Sequence, residues 1–472
     1  MRTERDSIGT LEVPEEAYYG VQSLRAKQNF PITGQRLHPQ MIRALAEIKK
    51  AAALCNRDAG RLAPDKAGAI VAACDEVLAG RLQDEFIVDP IQGGAGTSAN
   101  MNANEVLANR ASELLGGRRG EYVLVHPNDH VNMGQSTNDV FPSAGKIAAI
   151  RLLRGALPVW QQMTGVLRDK AQEFDDVLKM GRTQLQDAVP IRLGQTFAAW
   201  AAVTARDEKR LAAAEQELLA VNLGGTAVGT ALNADPQYLA TIVPKTAEIT
   251  GLPLTQTADL MDGTQNLDGF VAVSGLLKTC AMDLIKISND LRLLSMGPRA
   301  GISEINLPAM QNGSSIMPGK VNPVIPEVVA QAAFRVIGND TTILMAAQGG
   351  QLELNAFEPV LLYSLFESIE VLQNAVQSFI RNCLTGITAN RANCRHMVER
   401  SAGVAAALCP VIGYVRSAEL AKRALKEDTT VRELALKEKI LPAGKLAEVL
   451  DPLKMTSRPR LHRGGRGSAA AF

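Results

Sequence analysis

Aromatic side chains are scarce: Phe, Tyr and Trp make up 4% of the 472 residues. Histidine is scarcer still, with five in the chain. Charge of either sign is nearly balanced, at a net +1. No nucleic-acid or membrane-surface partner is therefore indicated. The six cysteines (Cys55, Cys74, Cys280, Cys383, Cys394, Cys409) form no CxxC pair. That argues against a zinc site or a disulfide framework and fits a reducing cytoplasm. Long apolar runs are absent too. A stretch such as GVAAALCPVIGYV is too short to span a bilayer and carries a proline. The opening MRTERDSIGTLEVPEE is charged, so no signal peptide is visible and a cytoplasmic location is expected. Alternating β-type runs are almost missing, and there is no internal repeat.

What remains is helical. With 46% hydrophobic and 21% charged residues the chain reads as a soluble globular protein of two or three domains. Leu277, Cys280, Leu284, Ile287, Leu291 and Leu294 recur at alternating spacings of three and four. Leu362, Leu365, Ile369, Leu372, Val376, Phe379 and Cys383 repeat the pattern. Such rows are the seams of helices packed nearly parallel. A third long segment, from Pro190 to Asn222, has no internal proline and contains DEKRLAAAEQELLAV, rich in strong helix formers. The expectation is an all-α fold around a long helical bundle. Apolar residues off the main seams suggest a second face buried in a neighbouring subunit. The expected segments are 1–138, a central bundle over 139–392, a small C-terminal domain over 393–455, and a disordered, basic, Gly/Ala-rich tail over 456–472.

Four polar stretches interrupt this helical chain. They read QGGAGTSANMNAN (92–104), HPNDHVNMGQSTND (126–139), GRTQLQDAV (181–189) and GSSIMPGKVNP (313–323). Each is expected to precede a helix: one from Glu105, one from Val140, one opened by Pro190, and one after Pro323. Capping alone accounts for Ser, Thr, Asn and Asp at such places. One capping residue per helix suffices, however, and these clusters are longer. Helix N-termini offer free N–H groups and a positive dipole end. Hydroxyls and amides add donors, and Lys320 adds a formal charge. The pattern suits a small, multiply anionic ligand. Gly313 and Gly319 bracket the serines of the last stretch and would let it open and close.

GSSIMPGKVNP matches the signature GSSxMPxKxNP of the aspartase/fumarase superfamily at every defined position. LGGTAVGTALN (223–233), GQLELNAFEPV (350–360), EVPEEAYYGVQSLRAKQNF and VIGYVRSAELAKRAL are similar to the family as well. The resemblance runs from about residue 4 to 455. It implies a three-domain all-α fold whose long helices form a bundle shared in a homotetramer. It also implies active sites drawn from loops of three subunits, acting on a small dicarboxylate. The reaction it implies is a reversible anti-elimination that gives fumarate. QGGAGTS resembles the branch that expels ammonia from L-aspartate, whereas the hydratases more often carry QTGSGTQ. Gln184 stands where the hydratases usually have His. Hydroxide is a poor leaving group and needs a general acid, whereas an ammonium group leaves as neutral ammonia.

By the same resemblance Ser314 is the catalytic base, acting as an oxyanion on the proton next to the β-carboxylate. Lys320 and Asn322, with Thr183, match the residues that hold the α-carboxylate. Thr97, Ser136, Thr137 and Ser315 match those around the β-carboxylate, where an aci-carboxylate builds up charge. Asn138, with Thr97 and Thr137, would receive the amino group. Gln184 replaces a substrate-touching residue, and Ser98 caps a helix. His126 and His130 are read as capping or packing residues. No cofactor is implied, and no carboxylate–histidine cluster has metal-ligand spacing. Some relatives are activated by divalent cations at a separate site, which nothing in this sequence locates. One departure stands out: relatives often have Lys in VNKxQS, where this chain has Met133 and Gly134. A class II-type fumarase and a catalytically silent helical scaffold are the alternatives.

Overall fold

The computed structural model describes residues 1–456. The all-α expectation holds. Strands occur only as short two-stranded ribbons among the described residues. The long helices are Thr137–Glu173, Leu193–Ala214, Asp268–Leu294, Val324–Gln348 and Glu358–Asn382. Every residue of the two predicted seams is buried, from Leu277 to Leu294 and from Leu362 to Cys383. The six cysteines are free thiols.

The described residues group into two compact units. The first comprises Met1–Gln161, Thr204–Lys286 and Val328–Gln377; the second comprises Gln162–Val203, Ile287–Glu327 and the residues from Ser378 on. In the first unit the helix Pro39–Asp58 starts with proline at its first turn, and the His38 ring accepts from the Gln40 N–H. Its apolar row Met41, Leu45, Ile48, Ala52 and Cys55 is buried. It packs against Pro64–Leu78, which contributes Ile70, Ala73, Cys74 and Val77. Polar contacts register the long helices. Ser274 and Lys278 donate to Asp340, and the Asn339 amide donates to Ser364, Glu367 and Ser368. Gly145 lies against Leu362, where a Cβ would fall 2.5 Å from a methyl group.

The second unit has its own apolar centre: Met180, Val398, Leu408, Leu420, Val431, Leu434, Leu446 and Leu450. It gathers the helices Arg391–Arg400, Tyr414–Lys426, Val431–Lys437 and Ala443–Val449. Thr430 and Glu433 close a capping box at the start of Val431–Lys437. Thr456, the first residue of the expected tail, is buried and its carbonyl accepts from Gln195; residues 457–472 lie outside the described residues.

Three helix starts differ from expectation. The helix expected from Glu105 begins at Thr97, and the one expected from Val140 begins at Thr137. Most of QGGAGTSANMNAN is thus helix, because Asn100, Asn102 and Asn104 find partners for their amides. Ser98 lies inside this helix, whose N-cap is Gly96, so it does not cap it. Gly96 has φ +87°, and a Cβ there would collide with the Phe141 ring. The third difference is larger. GRTQLQDAV is no loop before a helix. Leu178–Thr183 and Gln186–Arg192 pair as an antiparallel hairpin, Pro190 lies inside its second strand, and the helix opens at Leu193. Pro190 is tolerated there because a two-stranded ribbon has an unpaired edge.

Candidate active site

In the first unit Ser136 caps the helix Thr137–Glu173. Its carbonyl accepts from Val140, and its hydroxyl oxygen accepts from the Asn138 N–H at 3.2 Å. Asp139 reaches back, its carboxylate accepting the Ser136 N–H at 2.9 Å, as in a capping box. The other carboxylate oxygen accepts from Gly224 and Thr226 at 3.0 and 3.1 Å. Asp139 therefore ties the Ser136 turn to LGGTAVGTALN. Burial pushes its carboxyl up to about 6, against the three amides and Lys49, which favour the anion.

These bonds also decide which way the nearby polar groups face. The Asn138 amide nitrogen is spent on the Ala227 carbonyl at 2.7 Å, so its oxygen is the end left to accept. The Thr97 hydroxyl donates to Gly94 at 2.8 Å and keeps its lone pairs. Thr137 Oγ1 accepts from the Asn100 amide at 3.1 Å, which leaves its own proton available to donate. Ser136 and Thr137 thus present O–H donors, which suit a carboxylate. Thr97 and Asn138 present acceptors, which suit an ammonium group.

Beneath this turn lies Lys49, with no exposed surface. Its Nζ donates to Asn132 Oδ1 at 2.9 Å and to Gln135 Oε1 at 2.8 Å. Asn132 Oδ1 also accepts from Asn100 and Asn104 at 3.2 and 3.1 Å. Burial pulls the Lys49 amine down to about 7, with Asp139 and Cys74 opposing.

In the second unit GSSIMPGKVNP folds back on itself. The Gly313 N–H donates to the Lys320 carbonyl at 2.8 Å, and the Asn322 side-chain amide donates to the Gly313 carbonyl at 2.8 Å. Ser314 Oγ accepts two backbone N–H groups, from Ile316 at 3.2 Å and Met317 at 3.0 Å. Donors aimed at a hydroxyl oxygen favour its ionised form. Ser315 and Lys320 are exposed, as are Ile316 and Met317. Thr183 and Gln184 stand at the tip of the hairpin, both exposed. Its turn residues Gln184 and Leu185 have φ +54° and +62°. Glu304, fully buried, anchors the hairpin through Lys179 at 3.0 Å and Arg182 at 2.8 Å.

The structure thus joins Ser136, Thr137 and Asn138 in one turn and Ser314, Lys320 and Asn322 in one closed loop. His126 caps the short turn that follows it, its ring accepting from Asn128 and Asp129, as expected of a capping residue. Lys49, Asn100 and Asp139 went unassigned in the sequence. KKAAA reads as an ordinary helix surface, and the partners lie over 80 residues away. Among the described residues no group of three or more His, Cys, Asp or Glu side chains is placed to hold a metal ion.

An all-α chain with clustered hydroxyls, amides and one lysine on polar turns has the make-up of a helical enzyme for small anions. A family model described as lyase matches residues 9–338, and one described as fumarase C C-terminus matches 404–457. The aspartate ammonia-lyase of Bacillus subtilis (strain 168) is 53% identical over 455 residues, 96% of each chain. A crystal structure described as fumarate lyase:delta crystallin from Brucella melitensis bound to cobalt superposes with a TM-score of 0.94 at 49% identity. It covers 97% of this chain and 100% of that one. The class II fumarase of Schistosoma mansoni superposes with a TM-score of 0.93 at 36% identity, over 96% and 98%. The chain belongs to this lyase family, the aspartase/fumarase superfamily.

Proposed function

We propose that the protein is an L-aspartate ammonia-lyase that converts L-aspartate reversibly to fumarate and ammonia. Ser314 is the base, and the observation that carries this role is the pair of backbone N–H groups on its Oγ. They stabilise the serine oxyanion, which a serine otherwise forms only near the top of the pH scale. The oxyanion takes a proton from the substrate's β-carbon. The electron pair moves into the β-carboxylate and gives an aci-carboxylate. It then returns to form the double bond as the C–N bond breaks, and the ammonium nitrogen leaves as ammonia. Ser136, Thr137 and Ser315 receive the β-carboxylate, whose charge grows in the transition state; Thr97, expected there too, has its hydroxyl proton on Gly94 and would have to release it to join them. Lys320, Asn322 and Thr183 receive the α-carboxylate. The acceptor ends of Asn138 and Thr97 receive the amino group, with Thr137. Gln184 carries no acid for expelling hydroxide, which favours ammonia over water as the leaving group. Identity to the aspartate ammonia-lyase above exceeds identity to the class II fumarase, 53% against 36%.

The elimination changes no oxidation state, so it calls for no redox cofactor. Divalent-cation activation at a separate site stays without a location. The reading includes the three segments 1–138, 139–392 and 393–455, and a homotetramer whose sites draw on three subunits. Exposed Val328, Phe334, Leu344 and Met345 on Val324–Gln348 support association, since an exposed apolar helix face is costly in a monomer. Six free thiols suit a reducing cytoplasm, and no described helix is long and apolar enough to cross a membrane. The test is Ser314→Ala. It should lose at least about 1000-fold in kcat, the scale of a lost catalytic base, and still bind succinate within threefold of wild type. Unchanged turnover would remove Ser314 from the base role.

A further inference from the structure

Lys49 is expensive. Withdrawing an ammonium from water costs on the order of several kcal/mol unless a partner repays it. No carboxylate accepts from its Nζ; its acceptors are the neutral amide oxygens of Asn132 and Gln135. The nearby anion, Asp139, spends its oxygens on three backbone amides. Lys49 donates to Gln135 Oε1, but Asn132 does not depend on it. Asn132 Oδ1 keeps two other donors, Asn100 and Asn104, and neighbours such as Leu45, Ile48 and Ala52 fill the same helix with apolar side chains. Residues 132–138, NMGQSTN, carry no basic residue of their own. The hydrogen-bond path from Lys49 leads to one functional group. It runs from Nζ to Asn132, shares that oxygen with Asn100, and ends where the Asn100 amide meets Thr137 Oγ1 at 3.1 Å.

We propose that Lys49 is a positioning residue of the elimination site: through Asn132 and Asn100 its buried Nζ leaves the Thr137 hydroxyl free to donate to substrate, and its protonated form adds positive charge beneath the Ser136–Asn138 turn. This rests on reading that turn as the seat of the β-carboxylate. The benefit is greatest when that carboxylate carries its extra charge, so Lys49 acts on the transition state more than on bound substrate. Buried and held by two acceptors, it needs no reorganisation when the charge appears.

The test compares two ligands. Succinate mimics the ground-state dicarboxylate. The nitronate form of 3-nitropropionate has the planar, double-bonded geometry of the aci-carboxylate, with negative charge on both oxygens. Lys49→Met should weaken the nitronate at least tenfold and leave succinate within threefold. With L-aspartate it should lower kcat ten- to a hundredfold and move KM far less. Asn100→Ala, with Lys49 in place, should show the same preference because it cuts the path to Thr137. Equal weakening of both ligands, or of neither, would show a merely structural lysine and overturn the proposal. If Lys49→Met does not assemble, Asn100→Ala decides on the same ratio. A wild-type protein that yields no fumarate from L-aspartate and does not prefer the nitronate would overturn the elimination reading and this proposal with it. Fumarate formation with a nitronate preference that survives both substitutions would overturn this proposal alone.

Discussion

The side chain of Asn322 donates to the carbonyl of Gly313 at 2.8 Å, across the neck of the loop that carries Ser314. A residue read as an α-carboxylate contact therefore also straps shut the loop that holds the proposed base. Gly313 completes the strap by donating its N–H to Lys320. A Cβ on Gly313 would fall 2.5 Å from the Lys320 carbonyl and 2.9 Å from the Asn322 nitrogen. Gly313→Ala must therefore open the neck. Misplacing a catalytic group by an ångström costs roughly a hundredfold in rate, so kcat/KM should fall by about that much. The loop is largely exposed, and the urea midpoint should barely move. Loss of stability with retained turnover would contradict the strap.

The hairpin tip stores strain beside the residues read as substrate contacts. Leu185 adopts φ +62° and is 73% exposed, so it pays for a left-handed backbone and packs on little. A leucine in that region costs about 1 kcal/mol, which glycine avoids. Leu185→Gly should leave kcat with L-aspartate within twofold and keep or slightly raise the denaturant midpoint. A clear destabilisation would mean that Leu185 is covered in the assembled protein.

Acid should loosen the first unit through Glu113. Burial raises its carboxyl, but hydrogen bonds from Tyr18, Arg119 and Arg110 outweigh it and hold it down at about 2, below the ordinary 4.5. A depressed carboxyl stabilises the fold above its unfolded pKa and loses that contribution as pH falls through the folded one. The contribution should be whole above about pH 4.5 and gone near pH 2. Glu113→Gln should lower the denaturant midpoint at pH 7 and flatten its decline over that acid window. A parallel shift at every pH would place the effect elsewhere.

If sites are shared between subunits, as proposed, inactive variants should rescue one another. Ser314→Ala and Thr137→Ala should each be nearly inactive alone. When copies are unfolded together and reassembled one to one, about a quarter of sites draw both residues from unaltered copies, and that share of activity should return. No recovery in the mixture would mean that one chain supplies both residues.

The helical architecture was legible because leucines at spacings of three and four leave few other options, and those seams are buried as expected. The loop around Ser314 was legible because its motif is long and rich in residues that neither helix nor strand accepts. The hairpin was not. Gly181 marks an irregular register between Met180 and Arg182, and Pro190 imitates a helix opener. The support beneath Ser136 was hidden for another reason. Lys49, Asn100 and Asn132 come from distant parts of the chain, and a lysine inside a helix looks solvated until its burial is seen. Local pattern shows which groups can touch a ligand, whereas tertiary contact decides which atom of each group faces it.

The central claim is that this site expels ammonia rather than water. The direct measurement is the ultraviolet absorbance of fumarate formed by the purified protein, with L-aspartate and L-malate offered in parallel. L-Aspartate should give a steady rise and L-malate none. A rise with L-malate alone would make the protein a fumarase and show that Gln184 does not discriminate the leaving group. Silence with both would contradict the elimination reading of the Ser314 loop.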